Sequence, residues 1–466
     1  MAGRIASGTV SMVMLACAAM SAGSPAQTLT TLVGFNGTNG ANPGYMSLVQ
    51  GLDGSFYGTT SSGGANLYDG TIFKVTPEGT LTTLFSFTYT DGANPYAGLV
   101  QTMDGCFYGT SYGGGTGPNY NCPNGCGTIF ALAAGDALTT LDNFSFGNGA
   151  GPQAGLVHAR DGNFYGTTVE GGSIGYGTVF KITPDGSLTT LYSFYAPSDG
   201  QYPYGSLVQA TDGSFYGTTS DGGSYLAGTI FKITPAGSLT TLHHFDRTNG
   251  SIPWAGLIQA SDGNLYGTTF AGGAHNYGTV FKIAPAGTLT TLHSFDILDG
   301  AYPYAALVQA SDGNFYGTTG LGGASHKGTV FKITPAGALT TLYRFNSTDG
   351  AIPTGALVQG TDGNFYGTTS HGGANNLGTV FRLSAGLCPF VRTLPISGKV
   401  GAPVQILGTD LSNAARVTFN GASAVFTVLS PSLIAATVPS GATTGAVQVV
   451  TTSGTLASNV AFHVRP

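Results

Sequence analysis

The sequence predicts an all-β protein: a seven-bladed β-propeller closed by its N-terminal strand, followed by a small immunoglobulin-like β-sandwich. Three observations predict it. A motif of the form Asp-Gly-Asn-Phe-Tyr-Gly-Thr-Thr occurs seven times, with its Asp at Asp53, Asp104, Asp161, Asp212, Asp262, Asp312 and Asp362, 50 to 57 residues apart. A fixed period of this size marks a repeat architecture. Each period holds four short β-prone runs separated by turn residues, which is the content of one propeller blade. The repeat stops near residue 387, and a different strand-and-turn pattern fills the remainder.

One period can be read from its residues. Ala306 to Ala310 is a short apolar strand, and Asp312-Gly313 turns it back, because Gly takes a positive φ without steric cost. Phe315 to Thr319 is the second strand, and Gly322-Gly323 opens a variable loop. Thr329 to Ile333 is the third strand. Pro335 and Gly337 shape the next turn, and Ala338 to Phe345 form the fourth strand. The N-terminal run Thr28 to Phe35 reads as a fourth strand with no blade before it, and the seventh copy ends after its third strand at Leu383. Joining the two completes the last blade and removes the open edges of a linear array.

Composition narrows the function classes. The 466 residues include 76 Gly, only 8% are charged, and the net charge is -6, so the chain lacks the basic stretch that nucleic acid requires. Arg4, the apolar run Val10 to Met20 and Ser24-Pro25-Ala26 read as a signal peptide over residues 1–26 cleaved after Ala26. A lipoprotein signal at Cys17 is the alternative. The apolar run is too short to span a membrane, so the mature chain is expected to be secreted or held at the cell surface, without a transmembrane segment. In that oxidising setting Cys122 and Cys126 are expected to form a local disulfide, and Cys106 and Cys388 to be free thiols unless they pair over long range.

Copies such as Leu307 to Thr319, followed by Gly328 to Pro335, resemble the GloVer ("choice-of-anchor") tandem repeat of bacteria over residues 28–385. The resemblance implies an exported, surface-associated protein and carries no catalytic residues. The second copy departs from it, with an insert over 113–125 and Ala131 where most copies hold Lys. Residues 388–394 read as a linker. Beyond it, Pro395 to Leu411, Val417 to Gly421, Ala436 to Pro439 and Gly445 to Thr451 resemble an IPT/TIG domain, which implies an immunoglobulin-like sandwich over 395–466.

Function is expected on the face carrying the loops between blades and between strands two and three, because the other face is nearly uniform among copies. Tyr96, Tyr204, Trp254 and Tyr304 each follow a Pro between blades. Tyr68, Tyr120, Tyr176, Tyr225, His275, His326 and His371 lie in the inner loops. An aromatic rim of low charge suits stacking on sugar rings or on a protein surface. The competing reading is that an aromatic after Pro packs a corner wherever it recurs. Trp254, the sole Trp, is the first choice for a contact. Gln50, Gln101, Gln209, Gln259, Gln309 and Gln359, with His158 in the remaining copy, are expected to join adjacent blades rather than line a channel. The repeated Asp are explained by turns rather than calcium. No cofactor is expected, and no asymmetric catalytic set is visible. The expected role is non-catalytic recognition of polysaccharide or protein. A structural surface-layer component is the second reading, and a lactonase- or lyase-like propeller enzyme the third.

Overall fold

The computed structural model describes residues 27–45, 47–116, 121–195 and 197–465; the expected leader over 1–26, with Cys17 and the cleavage point, and Tyr120 lie outside them. The described chain is built from β-strands, with one 3-10 turn at Leu411–Asn413. None of its helices is long and apolar enough to cross a membrane.

The repeats form seven four-stranded antiparallel sheets. In the sixth, Val308–Gln309, Phe315–Thr319, Thr329–Ile333 and Leu339–Arg344 are hydrogen-bonded in sequence order. The seventh takes its fourth strand from the N-terminus: Thr28–Gly34 pairs antiparallel with Thr379–Ser384, Thr28 opposite Ser384 and Gly34 opposite Thr379. Every sheet is an open one, and each buries its second strand on both faces. This explains why Phe-Tyr-Gly-Thr-Thr reads as a continuous motif rather than an alternating one. Gly317 is required in its middle, since a Cβ there would come 2.6 Å from the Phe331 ring.

Neighbouring sheets are joined by the repeated residues. The Tyr of each motif lies against the Phe of the next, or against Leu265 in the case of Tyr216: Tyr57 on Phe107 at 4.3 Å between ring centres, Tyr165 on Phe215 at 4.1 Å and Tyr316 on Phe365 at 4.2 Å. The seventh sheet meets the first in the same way, with Tyr366 stacked on Phe56 at 3.8 Å. The glutamines repeat this connectivity. Gln209 accepts from the Arg160 amide at 3.0 Å, Gln259 from Thr211 at 2.8 Å and Gln309 from Ser261 at 2.9 Å. Gln50 accepts from the amide of Thr361 at 3.1 Å, again linking first sheet to seventh.

The hairpin Asp is equally occupied. Asp212 accepts from the Tyr216 hydroxyl at 2.9 Å and from Lys232 at 2.9 Å. Burial pushes its carboxyl pKa up, but Lys232, the Ser214 amide and the Tyr216 hydroxyl outweigh that and hold it below the usual carboxylate range. Asp312 repeats the arrangement with Tyr316 and Lys332.

The C-terminal region packs two four-stranded sheets around Val404, Ile406, Val417, Phe419, Ile434, Val447, Val449 and Phe462. Arg392–Leu394, in the expected linker, pairs with Pro403–Leu407 and so belongs to this sandwich. The sandwich lies against the Asp-Gly hairpins: Gln405 Nε2 donates to the Met103 carbonyl at 3.0 Å, Ser432 Oγ to Leu52 at 3.4 Å, and Thr409 bonds Thr361 at 3.1 Å. Cys122 and Cys126 form a disulfide that closes the insert of the second repeat, and Cys106 is free. Cys388, expected as a free thiol unless paired over long range, is disulfide-bonded.

Candidate functional site

At the end of the repeat region away from the sandwich, Tyr45, Tyr96, Tyr112, Gln153, Tyr204, Trp254 and Tyr304 surround a cavity of about 320 Å³. Their positions follow from the repeat. Each repeat crosses to the next through a Pro, and the residue after it is Gly44, Tyr96, Gln153, Tyr204, Trp254, Tyr304 or Thr354. A small residue before Leu then leads into the first strand, from Ser47 and Gly98 to Ala306 and Ala356. These small residues let the first strands converge: a Cβ on Gly256 would meet the Ser206 carbonyl oxygen at 2.6 Å, and one on Gly98 the Ser47 oxygen at 2.6 Å. Convergence brings the residues after Pro to one mouth. Beneath it the same small residues line a second cavity of about 260 Å³ that shares Tyr45, Gln153, Tyr204, Trp254 and Tyr304 with the first.

The rings support one another edge to face and at tilted angles. Tyr204 lies 5.5 Å from Trp254, Trp254 lies 5.1 Å from Tyr304, and Tyr304 lies 5.8 Å from Tyr45. Tyr45 then meets Tyr96 at 6.0 Å, and Tyr96 meets Tyr112 at 5.4 Å. Phe270 backs the assembly, 4.7 Å from Trp254 and 4.9 Å from Tyr304. Tyr45 has a left-handed backbone, φ 67°, and its amide donates to Thr354 Oγ1 at 3.1 Å, which aims it across the mouth. Burial pushes the Tyr45, Tyr96, Tyr204 and Tyr304 phenols up, so they are neutral donors at neutral pH. No residue lining either cavity carries a formal charge. Such a surface can stack on an apolar ring face and exchange hydrogen bonds with neutral groups. It offers no pair of carboxylates and no base beside a nucleophile.

Of the residues expected to bind, Tyr96, Tyr204, Trp254 and Tyr304 are brought together here. His275, His326 and His371 are exposed and line neither cavity. His326 sits in a turn at φ 53°, and His371 is tied to Ser370 Oγ at 2.9 Å and paired through its backbone with Ala351. Their loops project outward, because the turn after the second strand leads away from the convergent first strands. Tyr68 and Tyr225 are 77% and 55% exposed in the same kind of turn.

Four participants were not singled out from the sequence. Tyr112 and Phe270 occupy the position just after the second strand, which reads Ser61, Tyr112, Val169, Ser220, Phe270, Gly320 and Ser370 through the seven copies. That variation beside an invariant Gly-Thr pair was the available signal. Tyr45 is displaced by one residue from Pro, and Gln153 is the polar exception among large residues.

The Gloeobacter/Verrucomicrobia repeat family matches residues 18–122, 117–311 and 206–410, and the IPT/TIG domain matches 390–464. No curated protein matches. Among solved structures, similar ones include a candidate 6-phosphogluconolactonase from Bacteroides fragilis, at 18% identity over 73% of this chain and 86% of that one with a TM-score of 0.43. Another is a gluconolactonase from Xanthomonas campestris, at 14% identity over 55% of this chain and 78% of that one with a TM-score of 0.37. At these values the likeness carries no information on this chain's chemistry.

Proposed function

The chain belongs to the Gloeobacter/Verrucomicrobia repeat family and ends in an IPT/TIG domain, and from that premise we propose that it is an exported, non-catalytic recognition protein of the cell surface that binds neutral glycan at the aromatic mouth. The seven sheets are read as the blades of a closed propeller, with the mouth on its axis. The Tyr366–Phe56 stack and the Gln50–Thr361 bond support closure, since both repeat between last and first sheet the contacts made between neighbours. The observation that carries the binding reading is the convergence of Tyr45, Tyr96, Tyr204, Trp254 and Tyr304 on one uncharged cavity. Packing at the joints is met by Gly44 and Thr354 as well as by aromatic residues, so it does not require five rings, four tyrosines and one tryptophan, to face a common space. Sugar rings present an apolar C–H face for stacking and a hydroxyl edge for neutral donors and acceptors.

The leader expected from the sequence of residues 1–26 favours export, and a lining without carboxylates favours a binding role over catalysis. The test is a glycan array probed with residues 27–466 and with the Trp254→Ala and Tyr304→Ala variants. Binding by the parent and its loss in both folded variants is expected. Equal binding by all three would remove the site from the mouth, and no binding by the parent would overturn the glycan reading.

A further inference from the structure

Gln153 is the polar break in the aromatic mouth. Its Oε1 is buried and has no hydrogen-bond partner. Among the described residues the other atoms in that condition are Thr368 Oγ1 in the seventh sheet and Gln405 Oε1 in the sandwich, and neither residue lines the mouth. A buried amide oxygen without a donor is a standing cost in the free protein, and a ligand donor can remove it. The position holds Tyr or Trp in four repeats, so an apolar or aromatic residue fits the backbone there, and the repeat itself does not call for an amide.

The second observation is at the opposite end. A cavity of about 590 Å³ lies between the hairpin ends of the first strands, at Gln101, His158 and Gln209, and residues Leu394, Pro395, Ile396 and Arg465 of the sandwich. The C-terminal domain therefore lies over the hairpin ends of the second to fourth repeats, and its bonds to Leu52 and Thr361 carry it over the first and seventh, so that it obstructs the far exit of the space the first strands surround. A polymer threaded along that space would run into it. A chain lying flat over the mouth would leave the lower cavity, which Gln153 also lines, unfilled.

We infer that the mouth takes a glycan end-on, its terminal neutral sugar ring stacked among Trp254, Tyr204 and Tyr304 with one hydroxyl donating to Gln153 Oε1, in place or after rotation of the amide. This rests on the glycan reading above and deepens it: the ligand is a chain end, and Gln153 is the residue that reads its hydroxyl. Acids and bases are not favoured, because no charged side chain lines the mouth.

The protein reports on the site itself, since Trp254 is its only Trp. Residues 27–466 are titrated, following Trp emission, with neutral oligosaccharides of five units built on β-1,4-glucose, α-1,4-glucose, β-1,4-mannose and β-1,4-N-acetylglucosamine backbones. At least one is expected to shift the emission. Gln153→Leu is expected to weaken that binding about tenfold or more, the equivalent of one hydrogen bond, while the ligand-free Tm stays level or rises because the orphaned acceptor is gone. Gln153→Glu, which keeps an acceptor, is expected to bind more tightly than the Leu variant. Affinity per chain is expected to be the same for five-unit and twenty-unit oligosaccharides. Binding that Trp254→Ala abolishes but Gln153→Leu leaves intact overturns the role of Gln153 and spares the glycan reading. Affinity that grows with chain length overturns end-on capture. No emission change with any of the four overturns both.

Discussion

The two ends of the repeat region use similar residue types to opposite purpose. At the hairpin end, the repeated Tyr is spent: its ring packs on the next sheet, and in every repeat but the second, where Asp104 accepts from Thr102 instead, its hydroxyl bonds the Asp of its own hairpin, as Tyr266 does with Asp262 at 2.9 Å. At the mouth, the tyrosines have rings against other rings and hydroxyls without a repeated partner. The hairpin end is nearly constant from copy to copy, and the mouth is constant only in its Pro and its small residues. A residue repeated in register serves the sheet. A residue that differs at a position the fold brings to a common point serves the site.

The strongest way to break that distinction is to truncate one repeated Tyr of the hairpin end and one exposed loop Tyr that belongs to neither end's packing. Tyr316→Ala removes a fully buried ring stacked on Phe365 and is expected to destabilise by about 3–5 kcal/mol, measured by urea denaturation. Tyr68→Ala, at a site 77% exposed, is expected to change stability by about 0.5 kcal/mol or less. Comparable losses at the two sites would show that the hairpin tyrosines are not the structural ones.

Next in size is a pH dependence that belongs to the hairpin end. Burial, then the charge and hydrogen bond of Asp312, push the Tyr316 phenol well above its ordinary value; burial and Asp161 do the same for Tyr165. A phenol whose folded pKa is raised contributes stability that is complete below its unfolded value of about 10 and is lost as pH rises beyond it. The partner carboxylates Asp161, Asp212 and Asp312 are held low, so their contribution is complete above about pH 4 and is lost as pH falls through their depressed values. Tm should be flat between these limits and fall outside both. A Tm still level well above pH 10, with all phenols ionising together, would contradict the buried Tyr–Asp pairs.

Much of this fold was legible because a repeated four-stranded antiparallel sheet advertises itself in short-range chemistry. Asp-Gly turns, the Thr-Pro-x-Gly turns and the alternation of Val330 and Lys332 with Phe331 and Ile333 are local signals, and the period multiplied them sevenfold. The pairing of Thr28–Gly34 with Thr379–Ser384 was readable from a surplus strand at one end and a missing one at the other. The site was half legible. Tyr96, Tyr204, Trp254 and Tyr304 share a sequence landmark, the preceding Pro. Tyr112 and Phe270 reach the mouth from the end of the second strand, and only the convergence of first strands puts them near. His275, His326 and His371 shared the variable face in sequence but not its axis, since a face has a radius that residue order does not encode. The position of the sandwich under the hairpins had no sequence signature at all.

The smallest effects expected come from the glutamine clamps, and they sharpen the comparison by separating burial from bonding. Gln50 and Gln309 hold equivalent places. The Gln50 bonds to the amide and hydroxyl of Thr361 are buried, at 3.1 and 3.3 Å, whereas the amide of Ser261 that Gln309 serves is exposed. Gln50→Leu leaves the Thr361 amide without a partner and without water, at a cost of about 1–3 kcal/mol. Gln309→Leu lets water replace the lost acceptor and should cost less, within about 1 kcal/mol. If the first and last sheets were not in contact in solution, the order would vanish, because Gln50 would have no Thr361 to serve and its loss would match that of any exposed polar residue. Urea midpoints of the two variants therefore test the link between the first and seventh sheets by the same measure that grades the others.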